Sequence, residues 1–287
     1  MYKAFFGLTS SPFNLSPDPT FLYRSPQHEE ALANLIYGVQ SRKGFVLLTG
    51  EVGTGKTTML ECLRDHLTKH DIPFGFVLNS RLTPEQFFET IAYDFDLPCS
   101  RTSKMEVLFA LNQMLLERAN RNQTTALIVD EAQNLDWDVL EEIRLLGNLE
   151  NRRGKLLQII LSGQPELDVK LSEQRFRQLK QRIALRSSLR PLSAGETAQY
   201  IASRLRRAGM HEQTVFPESV MAELHRRTGG IPRLINSVCD NLLLTAFAMS
   251  SRQVSREMLD EVSNDLELDW ITGVKALPGN GQVQPAA

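Results

Sequence analysis

The chain has little cysteine, little net charge and no long apolar run. Its three cysteines, Cys62, Cys99 and Cys239, are odd in number and far apart, which argues against a disulfide framework or a cysteine metal site and favours a reducing cytosol. The formal net charge of -2 predicts no strong global attraction to nucleic acid or acidic membrane. The longest apolar stretches, near 156–161 and 242–249, fall far short of the roughly 20 residues that span a bilayer.

The rest of the composition is ordinary. Of the 287 residues, 42% are hydrophobic and 23% are charged, values typical of a soluble globular protein. The length suits a medium domain combined with a smaller one. Met1-Tyr2-Lys3 leads into a short aromatic patch and not into a long apolar segment, so we expect no signal peptide.

A glycine-rich loop between an apolar run and a helical pattern is the most informative stretch. Residues 45–48 are all apolar, as in a buried parallel strand, and Met59, Leu60 and Leu63 follow with helical spacing. The sequence between them fits G-x-x-x-x-G-K-[ST], the phosphate-binding P-loop. The predicted nucleotide-binding residues of this loop are Gly50, Glu51, Val52, Gly53, Thr54, Gly55, Lys56, Thr57 and Thr58.

The residue types of the loop suit a bound nucleotide with Mg²⁺. Glycines let backbone N–H groups point inward at phosphate oxygens, and the next helix presents its positive N-terminal end to the same anion. Lys56 is placed to reach the β- and γ-phosphates, and the Thr57 hydroxyl to coordinate Mg²⁺. A glycine turn with an exposed lysine would not require the flanking strand and helix.

Two acids follow a second apolar strand. Residues 126–129 are apolar, and Asp130 and Glu131 come directly after them. At the carboxyl end of a buried strand, Asp130 is placed to hold Mg²⁺ through water, and Glu131 beside it to polarise an attacking water. The alternative is a pair of solvated acids at the start of a turn, but the upstream P-loop favours a hydrolytic site.

A further strand, 156–161, ends near two polar candidates for contact with a γ-phosphate. Gln164 is the first choice and Ser162 the second. Beyond it, residues 170–190 hold seven basic residues against one acid. They fit a solvated basic helix face, an arginine finger provided by Arg182 to a neighbouring subunit, or a surface for nucleic acid or a protein partner.

The pattern of elements predicts two domains and a tail. Strands alternating with helices indicate an α/β domain over 1–192, beginning with an irregular arm, 1–26, that is rich in proline and aromatic residues and predicted to pack across the core. Residues 193–268 read as all-helical, starting with a capping box. The Gly-, Pro- and Gln-containing stretch 269–287 predicts a loose tail.

The motifs together resemble those of an AAA+ ATPase. The resemblance rests on the P-loop, the Asp-Glu-Ala-Gln that follows the second strand, and three further stretches: 161–167, 181–183 and 230–233. The opening 2–13, with Phe-Gly-Leu and Pro-Phe, is similar to that of the ExeA/GspA family of secretion-associated ATPases. The resemblance extends over about 1–268, and longer members of that family continue into a membrane span and a peptidoglycan-binding region.

This resemblance implies a P-loop NTPase core, with a parallel sheet flanked by helices, and a helical lid. ATP and Mg²⁺ would be its cofactors. The implied roles are phosphate binding for Lys56, Mg²⁺ binding for Thr57 and Asp130, catalytic base for Glu131, a switch acting on Glu131 for Asn79, sensor one for Gln164, trans finger for Arg182 and sensor two for Arg233.

The resemblance also implies an assembly. We expect a homo-oligomer, as a ring or filament, that acts in the cytoplasm with a protein partner of a secretion or envelope machine and lies at the inner membrane only through that partner. The main competing hypothesis is an ATP-dependent regulator that binds duplex DNA, similar to the transposition ATPases TnsC and TniB. A nucleotide-gated switch with little turnover and a P-loop small-molecule kinase are two further hypotheses.

Overall fold

The computed structural model describes residues 1–78, 81–100, 103–152, 154–210 and 215–268. The chain divides into two compact units. One unit is Pro17–Arg190, and the other combines Met1–Ser16 with the described part of Pro191–Ala287.

Helices and short strands alternate in the first unit, whereas the second is helical. The described helices are α1 Tyr2–Phe6, α2 Pro26–Gln40, α3 Lys56–Lys69, α4 Pro84–Asp94, α5 Lys104–Asn120, α6 Trp137–Leu146, α7 Pro165–Leu171, α8 Arg177–Lys180, α9 Ala194–Arg207, α10 Glu218–Thr228, α11 Pro232–Ala248 and α12 Arg256–Asp265. The described strands are β1 Phe45–Gly50, β2 Phe74–Val77, β3 Thr125–Val129, β4 Glu150–Asn151, β5 Gly154–Lys155, β6 Leu157–Gly163 and β7 Ile183–Leu189.

Within the described residues, five strands form a parallel sheet in the order β2-β3-β6-β1-β7. Successive side chains of a strand point to opposite faces, and the core divides accordingly. Leu47 packs in a cluster with residues of α4, α5 and α6, whereas Val46 and Leu48 pack in another with residues of α2 and α3. Both faces are thus covered by helices, and the predicted α/β core with a parallel sheet is confirmed.

The strand β7 lies where the sequence suggests the face of a basic helix. A basic helix face over 170–190 is wrong, because α7 and α8 take in only part of this range and 183–189 form an edge strand beside β1. Ser187 and Leu189 of this strand are buried, whereas Arg186 is exposed. This period of two is the pattern of a strand with one solvated face.

The N-terminus also differs from expectation. The sequence predicts that the whole arm 1–26 packs with the α/β core, but Met1–Ser16 group with the C-terminal helices. The Tyr2 hydroxyl donates to Asp240 Oδ1 at 2.5 Å, the Thr9 amide donates to the Ala208 carbonyl at 2.8 Å, and Arg204 Nε donates to the Pro12 carbonyl at 2.5 Å. The prolines leave backbone carbonyls of this segment without helical partners, and the Arg204 side chain of α9 supplies a donor for one of them.

The helical unit contains a buried ion-pair network around Glu223. Arg226 and Arg227 each donate to Glu223 Oε1 at 2.6 Å, and Arg227, which is 2% exposed, also pairs with Asp260. Hydrogen bonds from Arg226 and then Arg227 lower the pKa of Glu223 from 4.5 to about 2. A lowered pKa stabilises the fold above pH 4.5, and this contribution disappears as the pH falls towards 2.

We therefore expect Glu223→Gln to lower the free energy of unfolding by about 3 kcal/mol at neutral pH, because it removes the charge between two partly or fully buried arginines. The difference from the wild type should shrink as the pH falls from about 5 to 3. Urea unfolding measured across this range checks both expectations. Glu173→Gln, which removes an exposed pair with Arg175, should cost less than about 1 kcal/mol, and equal losses for the two variants would contradict the role of burial.

Candidate functional site

The P-loop joins the end of β1 to the start of α3. Gly53 and Gly55 have φ values of 81° and 104°, a region in which residues with a side chain are strained. At Gly50 a Cβ atom would lie 2.8 Å from both the Leu189 carbonyl oxygen and Thr54 Oγ1. The glycines of the motif are therefore required by backbone angle at two positions and by space at the third.

Lys56 is buried against the loop that precedes it. Its ammonium donates to the carbonyl oxygens of Gly50 at 2.7 Å and Glu51 at 3.1 Å. Burial lowers the pKa of Lys56, and the charges of Glu131 and Asp130 oppose that shift. A phosphate oxygen in place of the two carbonyls would provide the full negative charge that this desolvated ammonium lacks.

Asp130 lies at the end of β3 and is 4% exposed. Ser162 Oγ donates to its Oδ1 at 2.8 Å, and the Glu131 amide donates to the same oxygen at 2.9 Å. Burial raises the pKa of Asp130, and the Ser162 hydrogen bond opposes this shift. Since both of these hydrogen bonds fall on Oδ1, they set the orientation of the carboxylate, and no contact within the described residues holds Oδ2.

Glu131 adopts an unusual backbone conformation. Its φ of 52° lies in the left-handed region, which costs a residue with a side chain about 1–2 kcal/mol. Its carboxylate Oε2 accepts hydrogen bonds from Gln133 Nε2 at 2.5 Å and Gln164 Nε2 at 3.2 Å. Strain of this kind at a carboxylate beside a P-loop is typical of functional sites.

The two candidates for the polar contact after β6 have different partners. Ser162, the second choice, is fully buried and holds Asp130, whereas Gln164, the first choice, reaches Glu131. Gln164 is the residue before α7 and is half-buried. Of the two, Gln164 is therefore the one whose side chain could turn towards a phosphate without leaving Asp130 unsupported.

Three other side chains that sequence reasoning missed support the site. Gln133 contacts Glu131, and Lys170 donates to the carbonyl oxygens of Gln133 at 2.9 Å and Leu135 at 2.6 Å. Behind the P-loop, buried His28 lies 3.2 Å from the Thr54 carbonyl oxygen through Nε2. In the sequence, Gln133 stood out only as part of the Asp-Glu-Ala-Gln stretch and Lys170 only as one of the basic residues of 170–190. Neither observation indicated the contact that the residue makes.

The proton on His28 can be assigned from its partners. A carbonyl oxygen only accepts, so Nε2 carries the proton that it donates to Thr54, while Nδ1 lies 2.7 Å from the hydroxyl of buried Ser25. A Cβ at Gly55 would lie 3.5 Å from His28 Nε2, so the ring packs directly against the loop. Ser25 and His28 thus hold the P-loop backbone from the side of α2.

The remaining predicted site residues have different surroundings or lie outside the described residues. Arg182 is half-buried and donates from Nη1 to the Arg144 carbonyl oxygen at 2.9 Å. Arg233 is exposed near the start of α11, in the other compact unit. Asn79 lies outside the residues that the structure describes, as does the predicted tail, 269–287.

Most basic residues between 170 and 190 have partners within the chain. Besides Lys170 and Arg182, these contacts join Arg175 to Glu173, Lys180 to the Ser172 hydroxyl and Arg186 to Asp168. Arg175 also lies 5.0 Å from the ring centroid of Phe176. The charge count of this stretch therefore overstates the basic surface that a nucleic acid would meet.

The residues present fit a nucleotide with Mg²⁺. The P-loop has no room for larger residues at Gly50, and its buried ammonium lies within the electrostatic reach of the carboxylates that follow β3. Within the described residues, no three His, Cys, Asp or Glu side chains gather into a metal-binding group. A P-loop site does not need one, because Mg²⁺ keeps several waters and phosphate oxygens as ligands.

The comparisons with known proteins agree with this assignment of fold. Residues 39–171 match the family model of an AAA domain. The fold resembles that of Cdc6p from Pyrobaculum aerophilum, with a TM-score of 0.70 at 19% identity, over 90% of this chain and 71% of that chain. A Drosophila ORC structure, solved bound to DNA, has a TM-score of 0.63 at 20% identity, over 90% of this chain and 67% of that chain. Likeness at this identity shows the fold alone.

The chain thus has the P-loop AAA+ fold, with a parallel sheet flanked by helices. A curated relative narrows the comparison: General secretion pathway protein A of Aeromonas hydrophila is 46% identical over 255 residues, which are 88% of this chain and 46% of the relative. The chain thus spans about half the length of that relative. The resemblance to AAA+ ATPases, and to the secretion-associated ATPases in particular, is confirmed.

Among the described residues, every helix falls short of the length or the apolar character required to cross a membrane.

Proposed function

We propose that the chain is a Mg²⁺-dependent AAA+ ATPase that hydrolyses ATP to ADP and phosphate and couples its nucleotide state to assembly. The observation that carries this proposal is the buried Lys56 ammonium, which shares its electrostatic surroundings with both Asp130 and Glu131. A phosphate-binding loop alone indicates that a nucleotide binds but not that it is hydrolysed. A second acid beside the metal-binding acid suits the activation of water.

In the proposed reaction the side chains bind phosphate, hold the metal and take a proton. Lys56 would exchange the carbonyls of Gly50 and Glu51 for phosphate oxygens, and Thr57 and Asp130 would hold Mg²⁺. Mg²⁺, when bound, supplies the charge that neutralises the β- and γ-phosphates. Glu131 would accept the proton of the water that attacks the γ-phosphorus, while the bond from that phosphorus to the β–γ bridging oxygen breaks and ADP leaves. We also propose Gln164 as sensor one, Arg233 of the helical lid as sensor two, and Asn79 as a switch on Glu131.

Steady-state phosphate release tests the proposed activity. The purified protein should release phosphate from ATP in the presence of Mg²⁺, and chelation of the metal with EDTA should stop the reaction. If the protein binds ATP but releases no phosphate at any protein concentration, it is a nucleotide-gated switch. Transfer of the phosphoryl group to a small molecule would indicate a kinase.

We propose that Arg182 completes the site of a neighbouring subunit in a homo-oligomer. Within the described part of the chain it donates to one main-chain carbonyl, that of Arg144, and a guanidinium has further N–H groups for a second acceptor. An arginine supplied in trans neutralises charge that builds on the γ-phosphoryl group. Hydrolysis would then depend on assembly, as a ring or a filament.

Arg182→Ala should therefore lower the turnover of the assembled protein about 10³-fold with little change in ATP affinity. The wild-type rate per subunit should rise with protein concentration, and the variant should lose this rise. Arg186→Ala is the matched control, because Arg186 is an exposed arginine nearby that pairs with Asp168 at 3.1 Å. Unchanged, concentration-dependent turnover by Arg182→Ala would remove the finger assignment.

The setting that we propose is a secretion or envelope machine. It rests on the 46% identity to a protein named for the general secretion pathway. The chain would act on the cytoplasmic side and reach the inner membrane through a protein partner. Capture by the assembled ATP-bound protein, compared with the Lys56→Ala variant, would identify a partner that depends on nucleotide state.

An ATP-dependent duplex-DNA regulator is the weaker candidate. The basic stretch that motivated it is largely paired within the chain. DNA binding measured with and without ATP over a salt series decides the question, because contacts to phosphates weaken steeply with salt. Salt-sensitive binding that requires ATP would favour the regulator over the secretion role.

A further inference from the structure

Within the part of the chain that the structure describes, the Glu131 carboxylate is held by one of its two oxygens. Gln133 Nε2 and Gln164 Nε2 both donate to Oε2, at 2.5 Å and 3.2 Å. Two donors on the same atom fix the rotation of the carboxylate and leave Oε1 as the oxygen to which another donor can come. A base needs this arrangement, because the oxygen that takes a proton from water has to face that water.

The orientation of Gln133 is set by its other end. Gln133 Oε1 accepts from the backbone amide of Gln164 at 3.0 Å. An N–H group can only donate, so the oxygen of the Gln133 amide has to face it and the nitrogen has to face Glu131. The donor on Glu131 is thus determined by a main-chain group at the end of β6.

The main chain leaves room for Gln133 only because residue 163 is glycine. A Cβ at Gly163 would lie 2.7 Å from Gln133 Oε1 and 2.8 Å from Leu167 Cδ2. Lys170 holds the same turn from α7, through the carbonyls of Gln133 and Leu135. The end of β6 and the start of α7 therefore fix the position of the Gln133 side chain.

Gln133 and Gln164 differ in what a bound phosphate would do to them. The Gln164 side chain is the proposed γ-phosphate sensor, so it would leave Glu131 when it turns to the nucleotide. Gln133 is tied to the main chain of residue 164 and not to its side chain, so it would keep its place. One of the two anchors on Glu131 would thus persist throughout the reaction.

We propose that Gln133 is a positioning residue for hydrolysis, which holds Glu131 Oε2 so that Oε1 faces the attacking water. This inference rests on the proposed ATPase function. Gln133 does not touch the nucleotide in this role, and its effect passes entirely through Glu131.

Gln133→Ala should lower kcat between about tenfold and a hundredfold, because a base that is no longer held at the right angle loses its alignment with water. The KM for ATP and the affinity for ADP should change less than about twofold, since no contact to the nucleotide is removed. Gln113→Ala is the matched control, since Gln113 makes the same kind of hydrogen bond, to Glu117 at 3.0 Å, on the exposed face of α5. It should leave kcat unchanged.

Gln133→Glu tests the role through the pH dependence of kcat. If Gln133 only stabilised the fold, this pH dependence would be the same as that of the wild type. The new carboxylate keeps the acceptor for the Gln164 amide but places a like charge against Glu131 at neutral pH. Protonation restores a donor, so the kcat of this variant relative to the wild type should rise as the pH is lowered from about 8 to 6. Thermal unfolding curves identify a variant that fails to fold. The other variant then decides, Gln133→Ala by its kcat or Gln133→Glu by the pH dependence of its kcat.

The possible failures are distinguishable. A wild type that binds ATP and releases no phosphate in any assembly removes the ATPase function and this role together. A wild type that turns over while Gln133→Ala matches it removes only the role of Gln133. A higher kcat in Gln133→Ala would also overturn the proposal, because Gln133 would then restrain Glu131 from acting.

Discussion

Glu131→Gln should bind ATP like the wild type and hydrolyse it about 10²- to 10⁴-fold more slowly, the range that a general base contributes. The replacement keeps the size of the side chain. Its amide oxygen can accept the hydrogen bonds that Gln133 and Gln164 now give to Oε2, so the turn should keep its structure. Only the ability to take a proton from water is lost.

Single-turnover phosphate release and a binding measurement with labelled ATP separate these two effects. The control is Glu117→Gln, which alters an exposed glutamate that also accepts from a glutamine and should leave both quantities unchanged. Assemblies formed with ATP should persist longer in Glu131→Gln, because the nucleotide remains intact. Full turnover by this variant would remove Glu131 as the base.

Lys56→Ala should weaken ATP binding about 100-fold or more. The variant removes a buried ammonium that would carry charge-assisted hydrogen bonds to the nucleotide, and losing one partner of such a pair typically costs about 2–5 kcal/mol. The fold without nucleotide should lose little stability, since the partners of Lys56 there are two uncharged carbonyl oxygens of the loop.

Thermal unfolding with and without Mg²⁺-ATP checks this expectation. The wild type should be stabilised by about 2.7 kcal/mol at a nucleotide concentration about 100 times the dissociation constant, and Lys56→Ala should lose most of this gain. Lys43→Ala is the control, because Lys43 precedes β1, at the end away from the P-loop, and lies over the Tyr37 ring. Equal stabilisation of all three proteins would place the nucleotide elsewhere.

The features of the site that the sequence could predict are local ones. The P-loop depends on glycines whose backbone angles and tight spacing suit few other residues, and Asp130 and Glu131 follow directly from an apolar strand. Such constraints act between neighbours in the chain. Strand, loop and helix therefore appear in the residue pattern itself, and the parallel sheet follows from their alternation.

The contacts that the sequence could not predict join distant segments or depend on an unusual backbone angle. Gln133 meets Glu131 because the left-handed backbone at Glu131 turns the chain back, and nothing in the letters Asp-Glu-Ala-Gln shows this angle. The sequence does not predict β7, because this edge strand lies in a stretch rich in basic residues and one of its solvated positions is an arginine. The alternation of buried and exposed residues is therefore not visible as an alternation of apolar and polar residues. The aromatic content of residues 1–16 indicates burial but not the surface that buries them.

The position of β1 has a consequence for the order in which the chain folds. Both strands that flank it, β6 and β7, come much later in the sequence. During synthesis, β1 cannot complete its hydrogen bonds until residues 183–189 have left the ribosome, because pairing between distant segments has to wait for the later partner. Until then the loop that follows it lacks the Leu189 carbonyl, against which Gly50 packs. A nascent chain should therefore acquire its phosphate-binding loop late, once β7 has joined the sheet, and bound ATP would stabilise only chains whose α/β core is complete.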